Sequence, residues 1–307
     1  FKQKTAYEIM PSLVGSEMCI RDRPQGKVYF IGAGPGDPEL LTLKAKRLIE
    51  EADVVIYADS LVPESIANFA KKDAVIIGSK TIALPEIMET TLEAVQEGKI
   101  VARVQSGDPS LYGAILEQIR ILESAKVDYE IIPGVSAAFA AAALLKTELT
   151  VPEVSQTVIM TRAEGRVSMP PKEQLKDLAA HGSSLIIFLS ITRMTKVVRE
   201  LLAAGYTKET PVAIVYRVGW PEEKVIRGTL EDIAAKVRES KITLQALIMV
   251  GAAMDPNLRN PDMDGLNPMA TSHLYSKEYT HLYRRSESRS DSSGPRIKTG
   301  EERVPSS

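Results

Sequence analysis

The sequence predicts an α/β protein of two domains, with a mostly parallel N-terminal sheet and a mixed C-terminal sheet. Three observations carry that prediction. The run Val28-Tyr29-Phe30-Ile31 ends in Gly32-Ala33-Gly34-Pro35-Gly36 and an apolar helical pattern follows, which reads as a buried strand turning sharply into a helix. From Lys27 onwards strand-like and helix-like segments alternate, which calls for parallel strands joined by right-handed crossovers. After Pro152 a second series begins, in which two strand-like runs are joined by a short Gly-Trp-Pro turn. That turn leaves no room for a crossover helix, so the pair is antiparallel.

In the first series the β-prone runs are 27–32, 53–57, 74–77, 99–104 and 128–132. Helical spacing covers 38–51, 62–70, 85–97, 111–124 and 136–145. The second series has strands at 156–161, 184–189, 211–216, 223–228 and 245–251, with helices at 172–180, 194–204 and 230–239. Pro152 and its polar neighbours mark a boundary near 147–153, giving domains at 27–148 and 149–256.

The flanks read differently. Residues 1–26 lack a sustained period, Pro11 and Gly15 interrupt any helix, and no apolar core of a signal peptide is evident. The stretch 5–23 looks like the read-through translation of a sequencing adapter, with a natural disordered extension as the alternative; either reading sets it outside the fold. Residues 257–307 form a mostly irregular tail. Within it, 286–307 is too rich in Ser, Arg, Glu and Gly to bury a core, while Leu274–Tyr283 carries several large apolar side chains that can dock.

Composition narrows the function. A 307-residue chain with 44% hydrophobic and 25% charged residues is that of an ordinary globular protein. The net charge of −2 argues against general nucleic-acid binding, and no apolar run reaches the roughly 18 residues that span a membrane. Cys19 is the single cysteine, so no intramolecular disulfide is expected and a reducing cytoplasm suits the chain. His181, His273 and His281 are scattered, so no metal site is predicted; His181, before Gly182, reads as a helix end.

The first turn is built for close approach, because Gly32, Gly34 and Gly36 admit positive φ and carry no Cβ. Asp37 is placed to cap the following helix with Pro38 at its first position. Asp37 also fills the sixth position, where a dinucleotide fingerprint has glycine, and no Gly-Lys-Ser/Thr follows to make a phosphate loop. An acidic residue at a helix start opposes bound phosphate, which favours a neutral or cationic ligand. Three further turns follow strands: Ser106–Gly113, Pro133–Ala138 and Thr161–Arg166. Singly each is an ordinary glycine turn with a helix cap. Together they converge, because strand-end turns on one edge of a sheet share a crevice.

Gly32–Asp37, Gly107-Asp108-Pro109 with Tyr112-Gly113, and Pro133–Ser136 resemble the signatures of the tetrapyrrole methyltransferases, over roughly residues 27 to 255. Tyr57–Val62, Thr161–Arg166 and the Trp220-Pro221 turn resemble the corrin-ring members in particular. The resemblance implies S-adenosylmethionine as cofactor, folded into a cleft between the domains. Its implied neighbours are Pro35, Ser106, Gly107, Asp108, Leu111, Ser136, Ala137, Leu189, Ser190, Val218 and Ala246, with Asp108 holding an amine or hydroxyl. Ser190 stands where some relatives carry methionine. The resemblance also implies a small-molecule polycarboxylate tetrapyrrole as acceptor, a homodimer, and no nucleic-acid or membrane partner. A sulfonium methyl is already activated, so positioning suffices and no catalytic side chain is expected.

A polycarboxylate favours arginine, which makes Arg162 and Arg166 the main acceptor-binding candidates, with an internal ion pair to Glu164 as the structural alternative. Tyr112, Asp59 and Ser60 join them, with Arg103, Arg217 and Lys80 as weaker candidates; Asp59 and Ser60 can equally cap the next helix, and Arg103, Arg217 and Lys80 can equally be solvated charges. Three rival readings stay open: the same donor site with another ring carbon or another acceptor, a nicotinamide oxidoreductase using Asp53 or Asp59 on ribose, and a noncatalytic binding protein.

Overall fold

The computed structural model describes residues 26–259. The expectations for residues 1–25, Cys19 among them, and for the tail from 260 on lie outside the described residues.

Among the described residues ten strands form two sheets. The first holds β1 (Lys27–Gly32), β2 (Val54–Tyr57), β3 (Val75–Gly78), β4 (Ile100–Gln105) and β5 (Tyr129–Ile132), in the order β3-β2-β4-β1-β5 and parallel throughout. The second holds β6 (Val158–Arg162), β7 (Ser184–Phe188), β8 (Pro211–Tyr216), β9 (Lys224–Thr229) and β10 (Ala246–Val250), in the order β6-β7-β10-β8-β9. There β6 and β7 are parallel while β10 runs antiparallel to both neighbours and β8 to β9, so this sheet is mixed.

Both sheets are buried on two faces. In the first, Ile31, Val55, Ala102 and Val104 face one helical layer, and Val28, Phe30, Ile56 and Val101 face the other, as a strand period of two requires. The layers are α1 (Leu43–Glu51), α2 (Glu64–Ala67), α3 (Leu84–Gln96) and α4 (Ile115–Ser124). On the second sheet, Leu185, Ile187, Val212 and Ile248 pack under α6 (Leu175–Ala179), α7 (Met194–Ala203) and α8 (Ile233–Ser240). Its other face, Ile186, Ala213, Val215, Leu247 and Met249, is covered by α5 (Ala137–Leu144). This helix follows the last strand of the first sheet yet packs on the second. Its buried Ala138, Ala140, Ala141 and Ala142 let its backbone lie close to that sheet.

Several helices are shorter than their apolar pattern predicts, for local reasons. The segment 38–51 is split: Asp37 caps a 3₁₀ turn at Pro38–Leu40, then Leu41 and Thr42 are extended and the Thr42 hydroxyl accepts from Ala45 N–H to start α1. Extended Pro63 delays α2, and positive φ at Tyr112 and Ala114 delays α4. Arg103, 8% exposed, supports that delayed start. Its guanidinium donates to Ile56 O and to Gln118 Oε1, both at 3.2 Å, and Gln118 Nε2 donates to Ala114 O at 3.0 Å. Burial pulls the Arg103 pKa down to about 10, which still leaves the side chain charged at neutral pH. Arg103 is therefore a buried strut and not a solvated surface charge.

At the carboxyl edge of the first sheet, Gly34 and Gly107 pair backbone to backbone, with N···O distances of 3.2 and 2.7 Å. Gly134 lies against them so closely that a Cβ there would sit 2.2 Å from Gly107 O and 2.8 Å from Gly32 Cα. Neither neighbour is a flexible side chain. Gly134→Ala is therefore expected to destabilise the fold by about 3 kcal/mol, the upper end of the overpacking range, as a lowered urea midpoint at unchanged slope. Wild-type stability in this variant would show that the turn is looser than its backbone contacts indicate.

Candidate functional site

A cavity of about 360 Å³ opens where the carboxyl ends of β1, β2, β4 and β5 face one end of the second sheet. The volume falls within the range of small-molecule sites. Its first wall is the turns: Pro35 after β1, Ala58 and Leu61 after β2, Ser106, Gly107, Asp108, Leu111 and Tyr112 after β4, and Ser136 and Ala137 at the start of α5. Its second wall is Phe188 and Leu189 after β7, Val215, Arg217 and Val218 at the end of β8, and Leu244, Gln245, Ala246 and Leu247 entering β10.

Of the residues predicted from the resemblance, Pro35, Ser106, Gly107, Asp108, Leu111, Tyr112, Ser136, Ala137, Leu189, Val218 and Ala246 are brought together around this one cavity. Ser190 is not. It is fully buried, its hydroxyl donating to Phe188 O at 2.6 Å and accepting from Ala163 N–H at 2.8 Å, so it ties the β6 and β7 ends together.

Asp108 borders the cavity with its carboxylate already engaged. Oδ2 accepts from Gly134 N–H at 3.0 Å, and Oδ1 accepts from the backbone and hydroxyl of Ser110. Burial pushes the carboxyl pKa up, but the Ser110 hydroxyl and amide and the Gly134 amide together outweigh it and hold it below the ordinary value. Asp108 thus staples the β4 turn to the β5 turn, where the sequence reading gave it a ligand amine or hydroxyl. Pro109 opens no helix after it; a turn closed by Leu111 N–H donating to Asp108 O at 3.1 Å follows instead.

The acceptor candidates scatter. Asp59 accepts from Lys80 N–H at 2.7 Å and pairs with the Lys80 ammonium at 3.6 Å, so it neither caps α2 nor lines the cavity. Ser60 contributes its carbonyl, which accepts from Gln245 Nε2 across the two sheets. Arg162 donates to Val167 O at 3.0 Å and Ser168 O at 2.9 Å, closing its own loop, and Glu164 pairs with Lys196 at 3.4 Å and not with either arginine. Arg162 lines a second cavity, of about 400 Å³, which shares Tyr112 with the first; Arg166 is exposed and lines neither.

Sequence reasoning missed Gln105 and several apolar lining residues such as Phe188 and Leu247, and it gave Trp220 only as part of a turn and Arg217 only as a weaker acceptor candidate. Trp220, the single tryptophan of the chain, donates from Nε1 to Pro35 O at 3.2 Å and so latches the β8–β9 turn onto the first glycine turn. The Arg217 guanidinium lies 5.1 Å from the Trp220 ring and 5.4 Å from that of Tyr216, pairs with Glu222 at 3.3 Å and donates to Gln245 Oε1. Gln105, the last residue of β4, is 7% exposed and its Nε2 has no partner. Its sequence signal was a carboxamide ending a strand whose one other polar residue is Arg103. Tyr112 and Leu189 hold positive φ with large side chains, Tyr112 resting on the Phe188 ring at 5.3 Å. Such strained backbone collects where a fold presents side chains to a ligand.

These features define a class: a two-sheet α/β protein whose strand-end cleft is made from glycine-rich backbone turns and apolar side chains. The chain belongs to the Tetrapyrrole (Corrin/Porphyrin) Methylases, whose family model matches residues 27–234. It is 53% identical over 260 residues to the cobalt-precorrin-4 C(11)-methyltransferase of Methanocaldococcus jannaschii, covering 85% of this chain and 96% of that one. Among solved structures it resembles a cobalt precorrin-4 methyltransferase of cobalamin biosynthesis, with a TM-score of 0.74 and 47% identity over 75% of this chain and 96% of that chain. It also resembles the uroporphyrin-III C-methyltransferase of Thermus thermophilus in complex with S-adenosylhomocysteine, with a TM-score of 0.60 and 30% identity over 74% of this chain and 98% of that chain.

The Asp108 staple has a pH signature. Its folded pKa lies below the ordinary 3.8, so its contribution is complete above that value and is lost as pH falls through the folded one. Asp108→Asn should show a smaller loss of urea-unfolding free energy between pH 5 and about 2.5 than the wild type does. Identical pH profiles would remove the staple from the account.

Proposed function

We propose that this protein transfers a methyl group from S-adenosylmethionine to C11 of precorrin-4 or cobalt-precorrin-4, a step in making cobalamin. The observation that carries this reading is the single cavity into which the turns after β1, β4 and β5 converge, in a chain whose family consists of tetrapyrrole methylases.

The cavity suits the donor on three counts. Its volume fits a small molecule, Gly107 presents a left-handed backbone with φ +64° and no Cβ, and Gln105 offers a buried amide nitrogen that no protein group satisfies. When bound, S-adenosylmethionine supplies a methyl group activated by the sulfonium. The protein's own work is to bind, orient and exclude water. Backbone groups of Ser106, Ser136 and Ala137 present hydrogen-bonding edges, while Val215, Val218, Ala246 and Leu247 form an apolar wall that keeps the cleft dry. Among the described residues the charged side chains lining the cavity are Asp108 and Arg217, both paired within the protein, so they set up no strong field against a reaction that disperses positive charge. Residues 27–148 and 149–256 act as two domains, each bringing one wall, in a homodimer of the cytoplasm. No helix among the described residues is long and apolar enough to cross a membrane.

Incubation with methyl-labelled S-adenosylmethionine and precorrin-4, with and without cobalt, followed by NMR of the product, tests the reading; label is expected at C11. Label at another ring carbon would reassign the acceptor, and binding without turnover would leave only a carrier. Trp220→Ala should raise the dissociation constant for S-adenosylhomocysteine about tenfold, or about 1.4 kcal/mol, by unlatching the two walls. Unchanged affinity in calorimetry would mean the latch does not shape the site.

A further inference from the structure

Among the described residues two buried side-chain atoms have no hydrogen-bond partner, Gln105 Nε2 and Ser183 Oγ, and only Gln105 lines the cavity. Gln105 is pinned through its main chain: it stands in register with Gly32, and its carbonyl accepts from Ala33 N–H at 2.7 Å. The side chain is held by no such contact at its nitrogen. Val104 beside it and Val101 further back in the strand are fully buried, and Arg103, the polar residue on the same face, has protein partners for its guanidinium. A carboxamide at that place leaves a donor unsatisfied, which native proteins tolerate only rarely. Rotation about the terminal torsion, whose preferences are broad, swings the amide without moving the backbone and turns the nitrogen to the cavity wall.

The surroundings say what such a donor meets. The two charged side chains on the cavity wall are occupied, Asp108 by Gly134 and Ser110, and Arg217 by Gln245 and Glu222. A carboxylate entering this cleft therefore finds Gln105 Nε2 as a side-chain donor that costs no existing bond to recruit.

We propose that Gln105 donates a hydrogen bond from Nε2 to a carboxylate oxygen of the ligand held in this cleft and thereby sets how that ligand is seated. The inference rests on the methyltransferase reading, under which the carboxylate has two sources: the amino-acid arm of the methyl donor, and the acid side chains of the macrocycle.

Gln105→Leu removes the donor at similar volume, and its thermal midpoint should equal or exceed that of the wild type, since an unsatisfied polar group has gone. Calorimetry with S-adenosylhomocysteine and with 5′-methylthioadenosine, which lacks the amino-acid arm, then separates the sources. A rise of about tenfold in the dissociation constant for S-adenosylhomocysteine, with 5′-methylthioadenosine unchanged, assigns the contact to the arm. Unchanged affinity for both, with the acceptor KM raised about tenfold at unchanged kcat, assigns it to the macrocycle. Gln105→Glu places like charges together and should weaken the same ligand more than Gln105→Leu does. The proposal is overturned if Gln105→Leu matches the wild type in all three measurements, if both nucleosides weaken equally, or if Gln105→Glu binds as well as the wild type. Should Gln105→Leu fail to fold, Gln105→Met takes its place with the same outcomes. A wild-type protein that binds neither nucleoside would refute the methyltransferase reading itself, a result distinct from any of these.

Discussion

The site depends on two glycines whose backbones hydrogen-bond to each other across the top of the first sheet. Gly34 and Gly107 belong to turns 73 residues apart in sequence, after β1 and β4, and each donates to the other's carbonyl. Adjacent parallel strands bring the turns together, but only residues without a Cβ, free to adopt φ of +71° and +64°, let them lie in contact. Gly134 then packs on the pair, and the Asp108 carboxylate fixes it there by accepting its N–H. Three turns become one surface, and the cavity is the space above it.

The second wall is held to the first by contacts of a different kind. The alanine-rich α5 leaves the first sheet and packs on the second, so covalent continuity and hydrophobic burial bind the two sheets at one flank. At the mouth, Trp220 reaches Pro35 and Gln245 reaches Ser60, each by one hydrogen bond to a backbone carbonyl. Few bonds at the mouth and many buried contacts at the flank make a cleft that can admit a ligand without separating its walls. The same arrangement keeps charge out of the interior. Arg217 is stacked between aromatic rings and paired, and the arginines expected to meet an acidic acceptor stand outside the main cavity.

Much of the fold was legible in the sequence because it rests on periodicity. Each of the ten strands lies within two residues of its predicted limits at either end, and the Gly-Trp-Pro turn correctly made β8 and β9 antiparallel. Helix ends were less legible. The apolar pattern of 111–124 continues through Leu111, yet the backbone adopts positive φ at Tyr112 and Ala114, and α4 begins only at Ile115. Nothing in the side-chain order announces that choice. It follows from the need to carry the chain past Phe188 and over the Arg103–Gln118 strut.

By itself, the sequence determined the alternation of strands and helices, the glycine turns at strand ends and hence which backbone segments meet in the cleft, because spacing and the absence of a Cβ are properties of the chain. Only the tertiary structure decided the occupation of each polar side chain. Ser190 is turned inward between β6 and β7, Asp108 is spent on Gly134, Arg162 is spent on its own loop, and Gln105 alone on the cavity wall is left with a buried, unpaired nitrogen. A hydrogen-bonding group takes the nearest partner that the folded chain supplies, and residues distant in sequence supply it.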